Sequence, residues 1–508
     1  MLFNSYTFIL FFLPCVLGGF ALAARYGGRR LAVPWLIVAS LFYYGWWNPR
    51  FLLVLVLSML VNAALGKYLC EAHGSPAQRR AARNIGIAFN LLLLGFFKYT
   101  DFLVFNLNSL FGSDIKVDEI VLPIGISFFT FLQIAFLVDA YRRDVVDFSL
   151  TNYFLFVSFF PHLIAGPIVH HKEMMPQFAG IRRGCLDPLN IAIGLSIFTV
   201  GLFKKTVIAD NTARLADPVF LAVAAGTPLN AATAWTGALA YTFQIYFDFS
   251  GYSDMAIGLA RLFGIVFPLN FYSPYRAVNI IEFWRRWHMT LSRFLRNYLY
   301  IPLGGNRLGE RRRYANLILV MLLGGLWHGA AWTFVLWGGL HGLFLVINHG
   351  WRYLRERFAM PMTAGAVWTR LLALLLTFVC VTFAWVIFRA DTVDHALRML
   401  ASMCLQGPKN ASNLRDLLAP RGTMTIGTLL QEFGVGTWLV GVAAIAFLAP
   451  NTSVLFRNYN QALPMLVTLS DRLLVWRPTM AWGVAIGVLF VVAVLHLTHI
   501  TPFLYFQF

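Results

Sequence analysis

The sequence is poor in charge and in cysteine. Only 12% of its 508 residues are charged, whereas a soluble domain carries about 25%. The five cysteines are scattered and form no Cys-x-x-Cys pair, which argues against both a disulfide scaffold and a zinc site. No internal repeat is visible, so the sequence lacks the signature of many transporters. No Pro/Ser-rich linker separates a soluble domain from the rest.

Apolar residues are abundant instead. They make up 59% of the chain, and the mean hydropathy is +0.68. Apolar runs of roughly 20 residues, the length that crosses a bilayer, recur throughout. We expect an all-α polytopic integral membrane protein forming one membrane-embedded domain over residues 1–508. From this run length we expect about 11 transmembrane helices, with re-entrant or interfacial helices between them.

Basic residues outnumber acidic ones, with 40 Lys and Arg against 22 Asp and Glu, which gives a net charge of +18. Nucleic acid is not the expected partner, because these residues lie in short loops between apolar runs. That pattern is typical of cytoplasmic loops facing anionic membrane lipids. Residues 273–313 hold nine arginines together with Trp and Tyr. We interpret this stretch as an Arg-rich cytoplasmic or interfacial segment.

Three further stretches depart from plain membrane helix. Residues 153–169 contain FFPHLIAGPIV, whose Pro and Gly predict a broken or re-entrant helix. Residues 391–434 are polar and predict an amphipathic helix within an extramembrane loop. Residues 503–508 read FLYFQF, an aromatic motif that suits an interfacial anchor. The alternative for this motif is a tail tucked into the protein.

An apolar, Gly-rich stretch, Gly324–Gly342, contains two imidazoles, His328 and His341. A titratable ring costs free energy in such surroundings unless it is paired or used. On one helix, the two rings would lie about 140° apart, so they would not share a ligand. His341 is interpreted as structural. The residues alone leave His328 open between a general base and a buried ring bonded to a carbonyl.

A third histidine, His288, lies among Arg285, Arg286, Arg293 and Arg296. Guanidinium groups bind phosphates in a bidentate way, so this group could hold a phosphorylated ligand. The alternative is that these arginines only mark the cytoplasmic end of a membrane segment, where positive residues are enriched. The residues alone do not decide between the two.

Acidic residues within apolar surroundings either pair or mark a pathway, and we favour pairing with nearby Arg for Asp139, Asp248 and Asp254. His170 and His171 follow the broken helix. No carboxylate stands near them at metal-ligand spacing, so no metal and no bound cofactor is expected.

Six blocks carry a family resemblance: LPIGISFFTFLQIAFLVDAYR, FFPHLIAGPIV, GLFKKTVIAD, YFDFSGYSDMAIG, FWRRWHMTLSRFLRNYLYIPLGGNR and GGLWHGAAWTFVLWGGLHG. With them the sequence resembles a membrane-bound O-acyltransferase. It is most similar to the bacterial branch that contains alginate O-acetyltransferase and the teichoic acid D-alanyl transferase. The resemblance implies helices in a ring around a funnel. It also implies that His328 is catalytic, that His288 is the second active-site histidine, and that Trp327 and the four arginines bind donor or substrate.

The resemblance implies an O-acetyltransferase of the bacterial inner membrane. Acetyl-CoA or an acyl-carrier thioester would be the donor substrate, and an exported, alginate-like polysaccharide the final acceptor. An extracytoplasmic acetyltransferase and the polysaccharide export machinery are the implied partners. Tyr505 is a candidate acyl relay. The alternatives are a transporter or flippase for a lipid-linked sugar, or acylation of cellulose, peptidoglycan or teichoic acid.

Overall fold

The fold is taken from a computed structural model of the chain. The structure describes residues 1–71, 74–118, 120–145, 148–181, 186–358, 367–405, 412–414, 417, 426–459, 474–497 and 501–504. Side chains are described for all of these except 426–433. Within these ranges regular structure is helical, and β structure is limited to an isolated bridge between Leu229 and Ser412.

The α-helices of the described ranges are named α1 to α20 in chain order. They are Leu13–Gly27, Arg29–Gly45, Pro49–Glu71, Pro76–Phe111, Ile126–Tyr141, Leu150–Ser158, Phe160–Leu163, His171–Ala179, Pro188–Phe203, Asp210–Ala224, Ala231–Leu262, Ile280–Trp284, Met289–Leu295, Glu310–His328, Trp332–Arg357, Val367–Arg389, Val393–Cys404, Ile426–Leu448, Thr452–Leu455 and Met480–Leu495. Short π-helical turns occupy Thr7–Phe12, Lys204–Ala209 and Arg296–Tyr300, and 3₁₀ turns occupy Pro274–Arg276 and Arg457–Tyr459.

Several helices are long and apolar enough to cross a bilayer. Within the described residues they are the five spans Thr7–Gly27, Pro49–Glu71, Pro76–Phe111, Pro188–Ala224 and Val367–Arg389. Three shorter apolar helices are Ile126–Tyr141, Gly434–Leu448 and Met480–Leu495. The predicted all-helical, multi-pass architecture is confirmed. The expected total of about 11 crossings stays a prediction.

Two of the predicted boundaries can be compared with the helices. The interruption at 153–169 is confirmed, since α6 ends at Ser158, α7 is a single turn and α8 begins at His171. The polar stretch 391–434 begins with the predicted amphipathic helix, α17. Its predicted end is too late, because α18 already begins at Ile426.

The chain divides into two compact units. Among the described residues, the first comprises those of Met1–Phe203, of Gly251–Leu269 and from Thr452 onward, and the second comprises those of Lys204–Ser250 and Asn270–Asn451.

Within the first unit, α5 is buried almost all round. Of its 16 residues, all but Val138 and Tyr141 are buried, which explains why its sequence shows no polar face. Gln133 on this helix donates to the Ser58 hydroxyl at 3.0 Å and accepts from the Tyr153 hydroxyl at 3.1 Å. These bonds join α3, α5 and α6, because a buried amide is stable only when its polar atoms find partners.

Within the second unit, α14 and α15 pack through glycine. A Cβ on Gly325 would lie 2.2 Å from the Phe334 carbonyl oxygen, and one on Gly338 would lie 2.2 Å from the Met321 carbonyl oxygen. The two backbones therefore approach more closely than any larger side chain allows. The last residue of α14 is His328.

A buried ion-pair group lies in the same unit. The Lys205 ammonium group donates to Asp248 at 2.6 Å and to Asp210 at 2.8 Å, and the Lys205 side chain is only 2% exposed. The expectation that Asp248 pairs inside the protein is confirmed, although its partner is a lysine. In the first unit, Asp254 instead accepts from the Thr452 hydroxyl at 2.7 Å.

We expect Gly338→Ala to destabilise the protein by about 1–3 kcal/mol, because its new methyl meets a backbone oxygen that cannot move alone. Gly350→Ala on the same helix is the matched control. No atom lies within 4 Å of its Cβ position, so the control should be neutral or stabilising by up to about 1 kcal/mol. Thermal unfolding in detergent measures both. Equal midpoints would contradict the glycine contact.

We expect Lys205→Met to lower the free energy of unfolding by about 3–5 kcal/mol, because it removes the cation between two buried carboxylates. Lys67→Met is the control. Lys67 pairs with Glu71 at 3.7 Å, with side chains 60% and 50% exposed, and such surface pairs contribute about 0–1 kcal/mol. Denaturation of the purified variants compares them. A loss no larger than that of Lys67→Met would show that the buried pair contributes little.

Candidate active site

His328 closes α14 and stands beside a sharp change in backbone direction. Gly329 is extended, with φ −161° and ψ 151°, and α15 starts at Trp332. A Cβ on Gly329 would lie 2.0 Å from the Phe334 ring, so glycine is needed where the chain turns. The comparison of His328 and His341 along one continuous helix therefore does not apply. The two rings lie on separate helices because the chain breaks between them.

His288 lies between α12 and α13. Its backbone is left-handed, with φ 42° and ψ 53°, a conformation that costs free energy for a residue other than glycine. Its side chain is fully buried, and Nδ1 lies 3.0 Å from Oδ1 of Asn270. The sequence analysis missed Asn270. No sequence signal marked it, because it is a single amide in an apolar stretch.

The structure brings three of the predicted site residues together. The ring centres of His288 and His328 lie 6.4 Å apart. The Trp327 ring lies 4.9 Å from His328 and 6.2 Å from His288. Trp337 and Phe388 pack edge-on against His328, with ring centres at 5.2 Å and 5.4 Å. The result is a pair of imidazoles enclosed by aromatic rings.

The pair is shielded from solvent, since His328 is 3% exposed and His288 is 0% exposed. Burial lowers the pKa of His288 to about 3, because an imidazolium loses its hydration there. The His288 ring is therefore neutral at physiological pH and has one nitrogen with a lone pair. A buried neutral imidazole can accept a hydrogen bond from a hydroxyl or N–H group and so position it.

His341 has a different environment. The Trp284 indole donates to His341 Nδ1 at 3.3 Å, and the Trp337 ring lies 4.8 Å from the His341 ring. Trp337 therefore packs against both His328 and His341. These contacts support the structural interpretation of His341.

The four predicted donor-binding arginines differ in environment. Arg285 and Arg296 are exposed, and Arg286 and Arg293 are half-buried. Arg286 pairs with Glu282 at 2.6 Å, so part of its charge serves the local fold. The exposed pair has its guanidinium groups in contact with solvent, where a phosphate could reach them.

Tyr505, the predicted acyl relay, lies outside the described residues. The described chain before it ends with Phe503 and Leu504, and Phe503 is buried. Its ring meets the ring of Tyr252 edge-on, with ring centres 4.3 Å apart. Phe503, at the start of the aromatic motif, is therefore packed inside the first unit, and the interpretation of the motif as a whole stays a prediction.

The two histidines after the broken helix do have a carboxylate beside them, contrary to expectation. Asp139 Oδ2 lies 2.7 Å from His170 Nε2 and 3.4 Å from His171 Nδ1. Local spacing could not show this, because Asp139 comes from α5. His170 Nδ1 also accepts from the Lys172 N–H at 3.2 Å. Both ring nitrogens of His170 are thus engaged. Arg142, whose side chain is 41% exposed, lies 3.8 Å from Asp139 at the edge of this group.

Comparison with known proteins identifies the family of the chain. The sequence pattern of the membrane-bound O-acyltransferase family matches residues 84–388, a range that contains both imidazoles. A peptidoglycan O-acetyltransferase from Helicobacter pylori is 42% identical, covering 100% of this chain and 98% of the relative. A probable alginate O-acetylase from Azotobacter vinelandii is 40% identical and covers 100% of both chains.

A more distant relative is a teichoic acid D-alanyltransferase from Streptococcus thermophilus. It is 30% identical over 52% of this chain and 68% of the relative. The family match covers more than half of the chain, and the two acetylating relatives match it end to end. Together with a multi-pass helical fold, these matches show that the chain is an acyltransferase and belongs to the membrane-bound O-acyltransferase family.

Proposed function

We propose that the protein is an O-acetyltransferase of the bacterial inner membrane. It takes an acetyl group from a cytoplasmic thioester and moves it across the membrane for O-acetylation of an exported, alginate-like polysaccharide. The observation that carries the proposal is the buried contact among His328, His288 and Trp327. The two full-length relatives are named for acetylating peptidoglycan and alginate, which supports a cell-surface polymer as the final acceptor.

The chemistry follows from the two imidazoles. His328 removes the proton of an acceptor hydroxyl, and the hydroxyl oxygen attacks the carbonyl carbon of the thioester. The carbon–sulfur bond then breaks, and the departing sulfur takes the proton back from His328. The products are an ester and a free thiol. General base catalysis of this kind contributes about 10²–10⁴-fold, and the aromatic rings around the pair keep water from competing for the acyl group.

The donor is acetyl-CoA or an acyl-carrier thioester, and both carry phosphate. The exposed arginines, Arg285 and Arg296, are the groups that would meet those phosphates. Arg293 would assist them, and Arg286 would hold the segment in place through Glu282. Trp327 would form a wall beside the acyl group. Residues 273–313 would in this way bring the thioester to the imidazole pair.

The acceptor hydroxyl belongs either to Tyr505 or to a partner. In the first case the acetyl group would rest on the tyrosine before an extracytoplasmic acetyltransferase collects it. Delivery to a polymer in transit would also place the polysaccharide export machinery nearby. The buried start of the aromatic motif, at Phe503, supports a tail that reaches into the protein.

We expect His328→Ala to reduce acetylation of the exported polymer by about 10²–10⁴-fold, because the general base is lost. His395→Ala, on α17, is the control and should retain activity. Transfer of label from radioactive acetyl-CoA to polymer in whole membranes measures both, with protein amount checked by immunoblot. Full activity in His328→Ala would refute the proposal. A transporter of lipid-linked sugar would leave the label on its donor.

We expect Tyr505→Phe to abolish polymer acetylation if the tyrosine carries the acetyl group, since the change keeps the ring and removes the hydroxyl. Tyr459→Phe is the matched control, because it also removes a tyrosine hydroxyl but lies outside the aromatic motif. Mass spectrometry of the wild-type C-terminal peptide after incubation with acetyl-CoA looks for the ester directly. Normal polymer acetylation in Tyr505→Phe would contradict the relay and indicate that the acceptor hydroxyl belongs to a partner.

A further inference from the structure

Asn270 makes several contacts with the turn that carries His288. The Met289 N–H donates to the Asn270 backbone carbonyl at 2.9 Å. The Asn270 side-chain oxygen faces three further groups, namely the Thr290 hydroxyl at 2.9 Å, the Thr290 N–H at 3.4 Å and His288 Nδ1 at 3.0 Å. All four contacts converge on the left-handed residue His288 and the start of α13.

These contacts determine which atom of the amide faces the ring. A backbone N–H can only donate, so the Asn270 atom opposite the Thr290 N–H must be the carbonyl oxygen. An amide oxygen accepts hydrogen bonds and has no proton to give. His288 Nδ1, 3.0 Å from the same oxygen, must therefore carry a proton. In the neutral ring the lone pair then lies on Nε2.

We propose that Asn270 is a positioning residue for the acyl transfer, and that it holds His288 in the tautomer whose Nε2 can only accept. The inference rests on the proposed function and gives His288 a role in the reaction, as an acceptor of a hydrogen bond. Nε2 in this state cannot donate a hydrogen bond to the oxyanion that forms on the thioester carbonyl. It can accept a hydrogen bond from another N–H or O–H group of the bound donor or acceptor, which it would hold in place while His328 removes the proton of the attacking hydroxyl.

The neutral amide of Asn270 also keeps the His288 ring uncharged. An aspartate at the same place would accept the same three bonds, but its negative charge would favour the imidazolium. A protonated His288 has no lone pair and could not accept from a hydroxyl. A neutral amide fixes the tautomer and leaves the ring uncharged.

The test compares Asn270→Asp with wild type in full-length protein in membranes, using radioactive acetyl-CoA as donor. We expect Asn270→Asp to be active at alkaline pH and to lose activity as the pH falls. The carboxylate raises the pKa of His288 from its low value, so kcat of the variant should begin to fall at a higher pH than kcat of wild type when the medium is acidified. A thermal unfolding midpoint close to wild type would show that the variant folds. A pH profile identical to wild type would overturn the proposal.

Two further variants separate positioning from mere support. Asn270→Leu removes the acceptor and should lower kcat by about 10–100-fold with little change in KM for acetyl-CoA, as when groups that orient a metal-bound histidine are removed. Thr290→Val keeps the His288 contact and removes only the competing hydroxyl, so it should change kcat by less than about threefold, within the range of one weak hydrogen bond. Equal losses in both variants would indicate a structural role and contradict the proposal.

The failure of this inference can be told from failure of the proposed function. If wild-type membranes transfer no label from acetyl-CoA, the proposed function itself is wrong. If wild type transfers label and Asn270→Asp keeps the wild-type pH profile, the function stands and the role of Asn270 is rejected.

Discussion

The close approach of two helix backbones is the constraint on which the site depends. Gly325 and Gly338 leave no room for a Cβ between α14 and α15, so the two helices meet backbone to backbone. In an apolar environment there is little hydrophobic driving force between helices, and such close packing supplies the attraction instead. The break at Gly329 then places His328 at the end of one helix, and the same helix pair carries Trp337 and His341 around it.

A second constraint is that buried polar groups need partners. Lys205 is held by two carboxylates, His341 by the Trp284 indole and His288 by Asn270. Each bond removes the cost of a polar atom shielded from water. At the imidazole pair the same rule does more than stabilise the fold. The contact with Asn270 also fixes the tautomer of His288, and therefore which of its ring nitrogens can accept a hydrogen bond.

Sequence reasoning was strongest where it used long patterns. The apolar runs predicted a multi-pass helical protein, and the Pro and Gly of 153–169 predicted a broken helix. Both are confirmed. It was weakest where one residue changes the geometry. A single extended glycine separates His328 from His341, and helical spacing cannot detect such a break. The carboxylate of Asp139 beside His170 was also missed, because the contact joins distant parts of the chain.

The class of protein and the identity of its candidate base could be predicted from the sequence alone. Apolar run length follows from bilayer thickness, and the blocks around His328 and His288 carry the family resemblance. The three-dimensional fold was needed to show that these two rings lie 6.4 Å apart, that Trp337 packs against both His328 and His341, and that Asn270 contacts His288. The reason is physical. Such contacts join residues far apart in the chain, and their geometry is set by helix packing and by hydrogen bonds that no local pattern encodes.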